Sequence, residues 1–162
     1  MDQRSVARLD ADLVDRVRQK VQAYTDEGFV WFYHLVSRHP LPQHCVRWIH
    51  EYFTARARGE NLALEAFRGS LKTTVFTNML TAYAIGCFPE KETIFVQSID
   101  QMANDNSAFV GDLVMSSPGF RVLFPHLAPD IDAGWGANGY EVKRTDVPYG
   151  QWRKLRTKTP TL

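Results

Sequence analysis

A chain of 162 residues, 44% hydrophobic and 23% charged, has the length and balance of about one folded domain, not of a disordered or fibrous segment. Nineteen Lys and Arg against eighteen Asp and Glu leave a formal charge of +1, so no global charge singles out nucleic acid or membrane. The start at Met1 lacks the basic and apolar regions of a secretory signal, and the longest uncharged run, Thr73 to Pro89, is broken by polar residues and suits a buried helix better than a membrane span.

Leu9, Leu13, Val17, Val21 and Tyr24 step by three and four residues and predict an amphipathic first helix. Gly28 interrupts that pattern, and the aromatic cluster Phe29, Trp31, Phe32 and Tyr33 follows as core or interface. His39-Pro40-Leu41-Pro42 is a stop. Beyond it Cys45, Trp48, Ile49, Tyr52 and Phe53 form one stripe of a helix that runs to about Arg58. Gly59-Glu60-Asn61 reads as a turn, and Leu62–Ala66 as a short apolar strand ahead of a Gly/Ser loop. A long helical pattern then covers Lys72 to Gly86, with Phe76, Met79, Leu80 and Tyr83 on one face. Cys45 and Cys87 form neither a CxxC pair nor a disulfide framework, and both read as reduced, buried thiols.

Thr93–Gln97 is the best strand by β-branched content. Asp100 caps the next predicted helix, whose stripe is Met102, Phe109, Val110, Leu113 and Val114, and Ser116-Ser117-Pro118-Gly119 ends it. Phe120 to Leu127 reads as a short helical turn, Pro129 to Asn138 as a loop, and Tyr140–Lys143 as a strand. The tail from Tyr149 is basic. Strand, glycine loop, helix, strand, helix is the order that builds parallel α/β sheets with right-handed crossovers.

Chemistry is concentrated in Ala66–Thr74, at the predicted strand-to-helix junction. A phosphate-binding loop of the pattern G-x-x-x-x-G-K-[ST] needs small residues whose amides turn inward, a Lys for the β- and γ-phosphates and a Ser/Thr hydroxyl for Mg²⁺. The helix that follows adds its positive N-terminal end. Lys72 and Thr73 have the spacing for the last two roles, and Gly69-Ser70 supply the small turn. Ala66 replaces the first glycine and Leu71 the glycine before the lysine. A left-handed backbone at Leu71 would carry about 1–2 kcal/mol of strain. The plainer reading is a helix N-terminus that Ser70 caps, with Lys72 in solvent.

Ala66–Thr74 resembles the Walker A loop of terminase large subunits, the ATPases of tailed-phage DNA-packaging motors. The surrounding order is similar as well. A Pro-to-Trp helix, Pro42 to Trp48, precedes the loop, and a strand and the helix from Asp100 follow it. Ser117-Pro118 to Leu123-Phe124-Pro125-His126-Leu127, then Trp135, then Tyr140–Arg144 complete the series, so the similarity covers about Pro40 to Lys158. The resemblance implies an α/β fold with a P-loop NTPase-type parallel sheet flanked by helices, incomplete here. A helical segment (1–39) would precede a partial ATPase domain (40–162). It implies ATP and Mg²⁺ as cofactors. Lys72 would hold the β- and γ-phosphates, Thr73 would help hold Mg²⁺, and Gly69, Ser70 and Leu71 would offer amides. Thr74 would support the turn, Arg68 would sense the γ-phosphate, and Gln43 would read the adenine edge, a place for which His44 competes. Arg121 and Arg144 are candidates for an arginine acting on a neighbouring subunit's site. Implied partners are double-stranded viral DNA, a portal protein, a small terminase subunit and further copies in a homo-oligomeric ring, in the host cytoplasm and without a membrane.

A working ATPase of this kind also needs an apolar strand ending in Asp-Glu. Leu127–Asp132 is interrupted by Pro129 and does not read as a buried strand, and Phe109–Asp112 lies in a helical pattern. The chain therefore reads as the N-terminal part of a longer enzyme, with the acidic strand and nuclease carboxylates farther on and negligible hydrolysis by itself. Two alternatives remain: another P-loop ATPase, helicase-like or kinase-like, and a non-catalytic small α/β module that binds partners through Phe29–Tyr33 and the Trp48 helix. The five histidines lack the spacing of a zinc site.

Overall fold

The computed structural model describes residues 3–94, 97–136 and 139–156, with the side chains of 3–10 and 136 left aside. Its elements are α1 (Gln3–Gln22), α2 (Asp26–Ser37), α3 (Gln43–Ala57), a π-helical segment (Thr73–Met79) that runs into α4 (Leu80–Cys87), α5 (Asp100–Ser116) and α6 (Pro118–Leu123). Four short strands follow, β1 (Leu127–Pro129), β2 (Trp135–Gly136), β3 (Gly139–Tyr140) and β4 (Val142–Arg144), and then α7 (Tyr149–Leu155). The fold is mixed α/β with helix predominating.

Local chemistry accounts for the helix boundaries. Thr25 caps α2 by accepting from the Gly28 amide at 3.1 Å, while Asp26 and Glu27 place negative charge in the first turn. Arg38, left-handed at φ 61°, closes α2 with its N–H on the His34 carbonyl. Ser117 caps α6 through the Phe120 amide, and Pro118 occupies the first turn, where a missing N–H is harmless. Asp100 is the first helical residue of α5; the cap position belongs to Ile99, so the expected Asp100 cap becomes a favourable first-turn charge.

One hydrophobic cluster joins the N-terminal helices to the rest. Val21, Phe29 and Phe32 pack with Cys45, Ile49, Val75, Met79, Tyr83, Val114, Phe120 and Phe124. Tyr83 is its hinge pin: the ring stacks on Tyr24 at 5.0 Å, and the hydroxyl donates to the Val21 carbonyl at 2.6 Å. Gly28, expected to break the first helix, instead lies buried in the first turn of α2, where a Cβ would come within 2.5 Å of the Lys20 carbonyl and the Tyr83 hydroxyl. The first helix is tied to α6 by Arg18 Nε on the Val122 carbonyl (2.6 Å) and the Gln22 amide on the Leu123 carbonyl (3.1 Å).

Both strand pairs among the described residues are antiparallel: β1 with β4 in the register Leu127↔Arg144, and β2 with β3 as Trp135↔Tyr140. The predicted strand Tyr140–Lys143 is divided at Glu141 between β3 and β4. Leu127–Pro129, expected to join a helical turn to a loop, is a short half-buried strand; Pro129 stands at its end, where the missing N–H is tolerated. Trp152 of α7 is buried under this hairpin and donates its indole N–H to the Val142 carbonyl at 3.1 Å.

Three sequence expectations need correction or fall away. Leu62–Ala66 is irregular, not a strand, because no described strand pairs with it; Leu62 is exposed, and Phe67 just beyond is 75% exposed. Of the predicted strand Thr93–Gln97, Thr93 and Ile94 are irregular, and Phe95 and Val96 lie outside the described residues. Of the predicted α5 stripe Val110, Leu113 and Val114 turn inward, whereas Met102 and Phe109 are exposed.

Candidate functional site

The loop 67–72 is built on the N-terminal end of α3. Ser70 is 3% exposed, and its carbonyl lies 3.1 Å from His44 Nε2 and 3.8 Å from the Cys45 thiol, two consecutive residues in the first turn of that helix. The Ser70 amide folds back to the Phe67 carbonyl at 3.3 Å. On either side of this anchor the backbone turns left-handed, at Gly69 (φ 86°) and Leu71 (φ 64°). Gly69 has open space where a Cβ would stand, so its glycine is required by the dihedral and not by crowding.

Leu71 occupies the position where the resembling loops carry glycine, and it does adopt the conformation that glycine takes without penalty. A leucine held there stores strain of about 1–2 kcal/mol. Such outliers are found at binding and switching sites, where the surrounding structure over-determines them. Here the determinants are the buried Ser70 before it and the Val75 amide, which donates to the Leu71 carbonyl at 2.8 Å.

From Leu71 the chain enters the helix. Lys72 is its cap residue, with helical dihedrals and no side chain bonded across the end. The first amides of a helix have no intrahelical acceptor, and among the described residues no side chain caps this one. Ser70 does not cap: its Oγ is buried with no hydrogen-bond partner among the described residues. Arg68, Gly69, Leu71, Lys72 and Thr73 are exposed and Thr74 is half-buried, so two cationic side chains and one hydroxyl surround an open helix N-terminus. The next seven residues are π-helical, the Leu80 amide reaching the Val75 carbonyl. Within this segment Asn78 Oδ1 is buried with no hydrogen-bond partner among the described residues. Single π-type turns recur at functional sites in helices.

These residues suit a polyphosphate. Donor amides, the helix dipole, Lys72 and Arg68 all favour an anion, and Thr73 follows Lys72 as an exposed hydroxyl residue. Gln43 is the exposed first residue of α3, next to His44, and it is His44 that touches the loop. Sequence reasoning did not foresee the tie from His44 and Cys45 to Ser70, since contacts across 25 and 26 residues carry no local pattern.

The remaining candidates are committed elsewhere. The Arg121 guanidinium bonds the Met115 carbonyl, and Arg144 pairs with Asp146 through Nε at 2.9 Å and a second, shorter contact. That pairing holds the Asp146 carboxyl well below its usual range, down to about 2. Asp130, directly after β1, is buried, accepts from the Tyr149 hydroxyl at 2.9 Å and lies 3.6 Å from the Lys143 ammonium. Those partners make it a pin between β1, β4 and α7. Arg153 and Arg156 of the basic tail both face Glu141. No helix among the described residues is long and apolar enough to cross a membrane.

A second feature adjoins the loop. A cavity of about 560 Å³ opens between the C-terminal half of α3, Arg56 included, and the π-helical segment, with residues 59–62 and Leu64 as its third wall and Lys72 also lining it. Compared with family models, curated proteins and solved structures, the chain has no match.

Proposed function

We propose that residues 66–74 form a nucleotide-phosphate loop and that the chain is the front part of a terminase-type ATPase, a motor that packages double-stranded viral DNA. The observation that carries the reading is the pair of left-handed residues, Gly69 and Leu71, around a buried Ser70, delivering Lys72 and Thr73 to an uncapped helix N-terminus. Lys72 holds the β- and γ-phosphates, the amides of 69–71 line the turn, Thr74 supports it, Arg68 reaches the γ-phosphate, and Thr73 helps hold Mg²⁺. Bound Mg²⁺ supplies charge neutralisation across the β- and γ-oxygens. The protein's own share is to position the triphosphate and to exclude competing geometries.

In this reading the complete motor carries a P-loop parallel sheet, and the portal protein, the small terminase subunit and a ring of like subunits are its partners. Leu71 is then a glycine-like position occupied by leucine, a departure that lowers affinity without removing the donors.

The test is equilibrium binding of Mg-ATP to the chain and to Lys72→Ala. Saturable binding that falls at least about tenfold in the variant, as expected for loss of a charge-assisted contact, supports the loop. Binding that is absent or indifferent to Lys72 removes it and leaves the small α/β binding module as the better reading. The motor assignment is tested in the coding frame beyond Leu162, where an apolar strand ending in Asp-Glu and then an acidic nuclease set are expected.

A further inference from the structure

We infer that the cavity beside Lys72 is the nucleoside subsite, so that the base of a bound nucleotide lies against Tyr52 and Phe76 at the far end of α3 from Gln43. The inference rests on the reading of residues 66–74 as a phosphate loop. Four observations carry it.

The cavity adjoins the loop through Lys72, which lines it. Its volume of about 560 Å³ falls within the roughly 300–1,000 Å³ of small-ligand sites. Its walls include two half-buried rings, Tyr52 and Phe76, which meet edge to face with centroids 6.1 Å apart and so leave ring surface for a planar base. Its rim carries Glu60 and Asn61, both exposed, an acceptor for ribose hydroxyls and an amide that can pair bidentately with the donor and acceptor edge of adenine.

Lys72 and the helix N-terminus beside it set which way the nucleotide lies. The cavity is bounded at one end by the N-terminus of the π-helical segment and at the other by the C-terminus of α3. The first is the positive end of its helix and the second the negative end. Phosphates are drawn to Lys72 and the free amides beside it, while Arg56, which lines the cavity near the other end, is held over the Tyr24 ring at 4.9 Å. Gln43 and Tyr52 are nine residues apart on α3, roughly 13 Å at 1.5 Å per residue, so one base cannot meet both. The groove has the aromatic surface, and the Gln43 end has His44 already engaged by Ser70.

The experiment is calorimetric titration of the chain with Mg-ATP and with Mg-tripolyphosphate, which offers the phosphates without a nucleoside. The wild-type chain is expected to bind ATP about tenfold or more tightly than tripolyphosphate, the scale of one base stacked on an aromatic surface. Asn61→Ala, at an exposed position, and Tyr52→Leu should each erase most of that advantage while leaving tripolyphosphate binding unchanged. Lys72→Ala should weaken both ligands together. An ATP advantage that survives both groove substitutions, or that disappears in Gln43→Ala instead, overturns the groove and leaves the phosphate loop standing. Tripolyphosphate binding that is absent or insensitive to Lys72 overturns the loop, and the groove with it.

Discussion

Replacing Tyr83 with Phe removes one oxygen from the centre of the molecule and leaves its ring in place. The hydroxyl is fully buried and donates to the Val21 carbonyl at 2.6 Å, the contact that fastens the end of α1 to α4. Val21 is not orphaned by the change, because its carbonyl also accepts from the Tyr24 amide at 3.2 Å and faces the Cys87 thiol at 3.6 Å. The full penalty for an unsatisfied buried carbonyl therefore does not apply, and the loss is that of one neutral hydrogen bond, about 1–1.5 kcal/mol. For a chain of this size that lowers the melting temperature by about 2–6 °C. Tyr83→Leu should lose several times more, since the ring also contacts Tyr24, Phe29 and Phe32. Urea unfolding followed by tryptophan fluorescence measures both variants. If Tyr83→Phe were as stable as the parent, or if Phe and Leu were equally damaging, the hydroxyl would not be the fastening described.

Gly119→Ala drives a Cβ into the backbone of α2, within 2.8 Å of the Leu35 carbonyl carbon and 3.1 Å of Val36 Cα; thermal melts should register a loss of about 2 kcal/mol. The Asp146 carboxyl is held down to about 2 in the folded chain, first of all by its bond from Arg144, against an ordinary 3.8, so its stabilisation is present above pH 3.8 and is lost as the pH falls through 2. The stability gap between the parent and Asp146→Asn, from urea unfolding at stepped pH, should hold at neutral pH and close between pH 4 and 2. Burial raises both thiols, Cys87 to about 12, so a disulfide reagent at pH 8 should label neither until the chain unfolds; rapid labelling of the native chain would contradict their placement.

Helices were readable wherever one face alone enters the core. The stripes Cys45, Ile49 and Met79, Leu80, Tyr83 are buried at the spacing that the sequence displays. Periodicity failed where burial is decided from outside the element. Met102 and Phe109 share the α5 stripe with Val110 and Val114, yet only the latter pair is buried in the core. Leu62–Ala66 has strand composition but no described partner to complete a ladder, and β propensity is largely a measure of such partners. Gly28 read as a break because glycine commonly ends helices, whereas here it admits the close approach of Tyr83. At the candidate site the order Gly69, Ser70, Leu71, Lys72, Thr73 was legible as a motif. The left-handed turn at Leu71 was foreseen only as a condition, because a leucine gives no sign of φ. The groove was invisible, since Tyr52, Asn61 and Phe76 are gathered by the packing of α3 on the π-helical segment and not by any spacing.

Backbone amide NMR of the chain, titrated with Mg-tripolyphosphate, tests the phosphate loop most directly. Saturable shifts concentrated on residues 68–74 and lost in Lys72→Ala are the predicted result. Unmoved amides at Gly69, Leu71, Lys72 and Thr73, or shifts confined to the basic residues of α7, would contradict it.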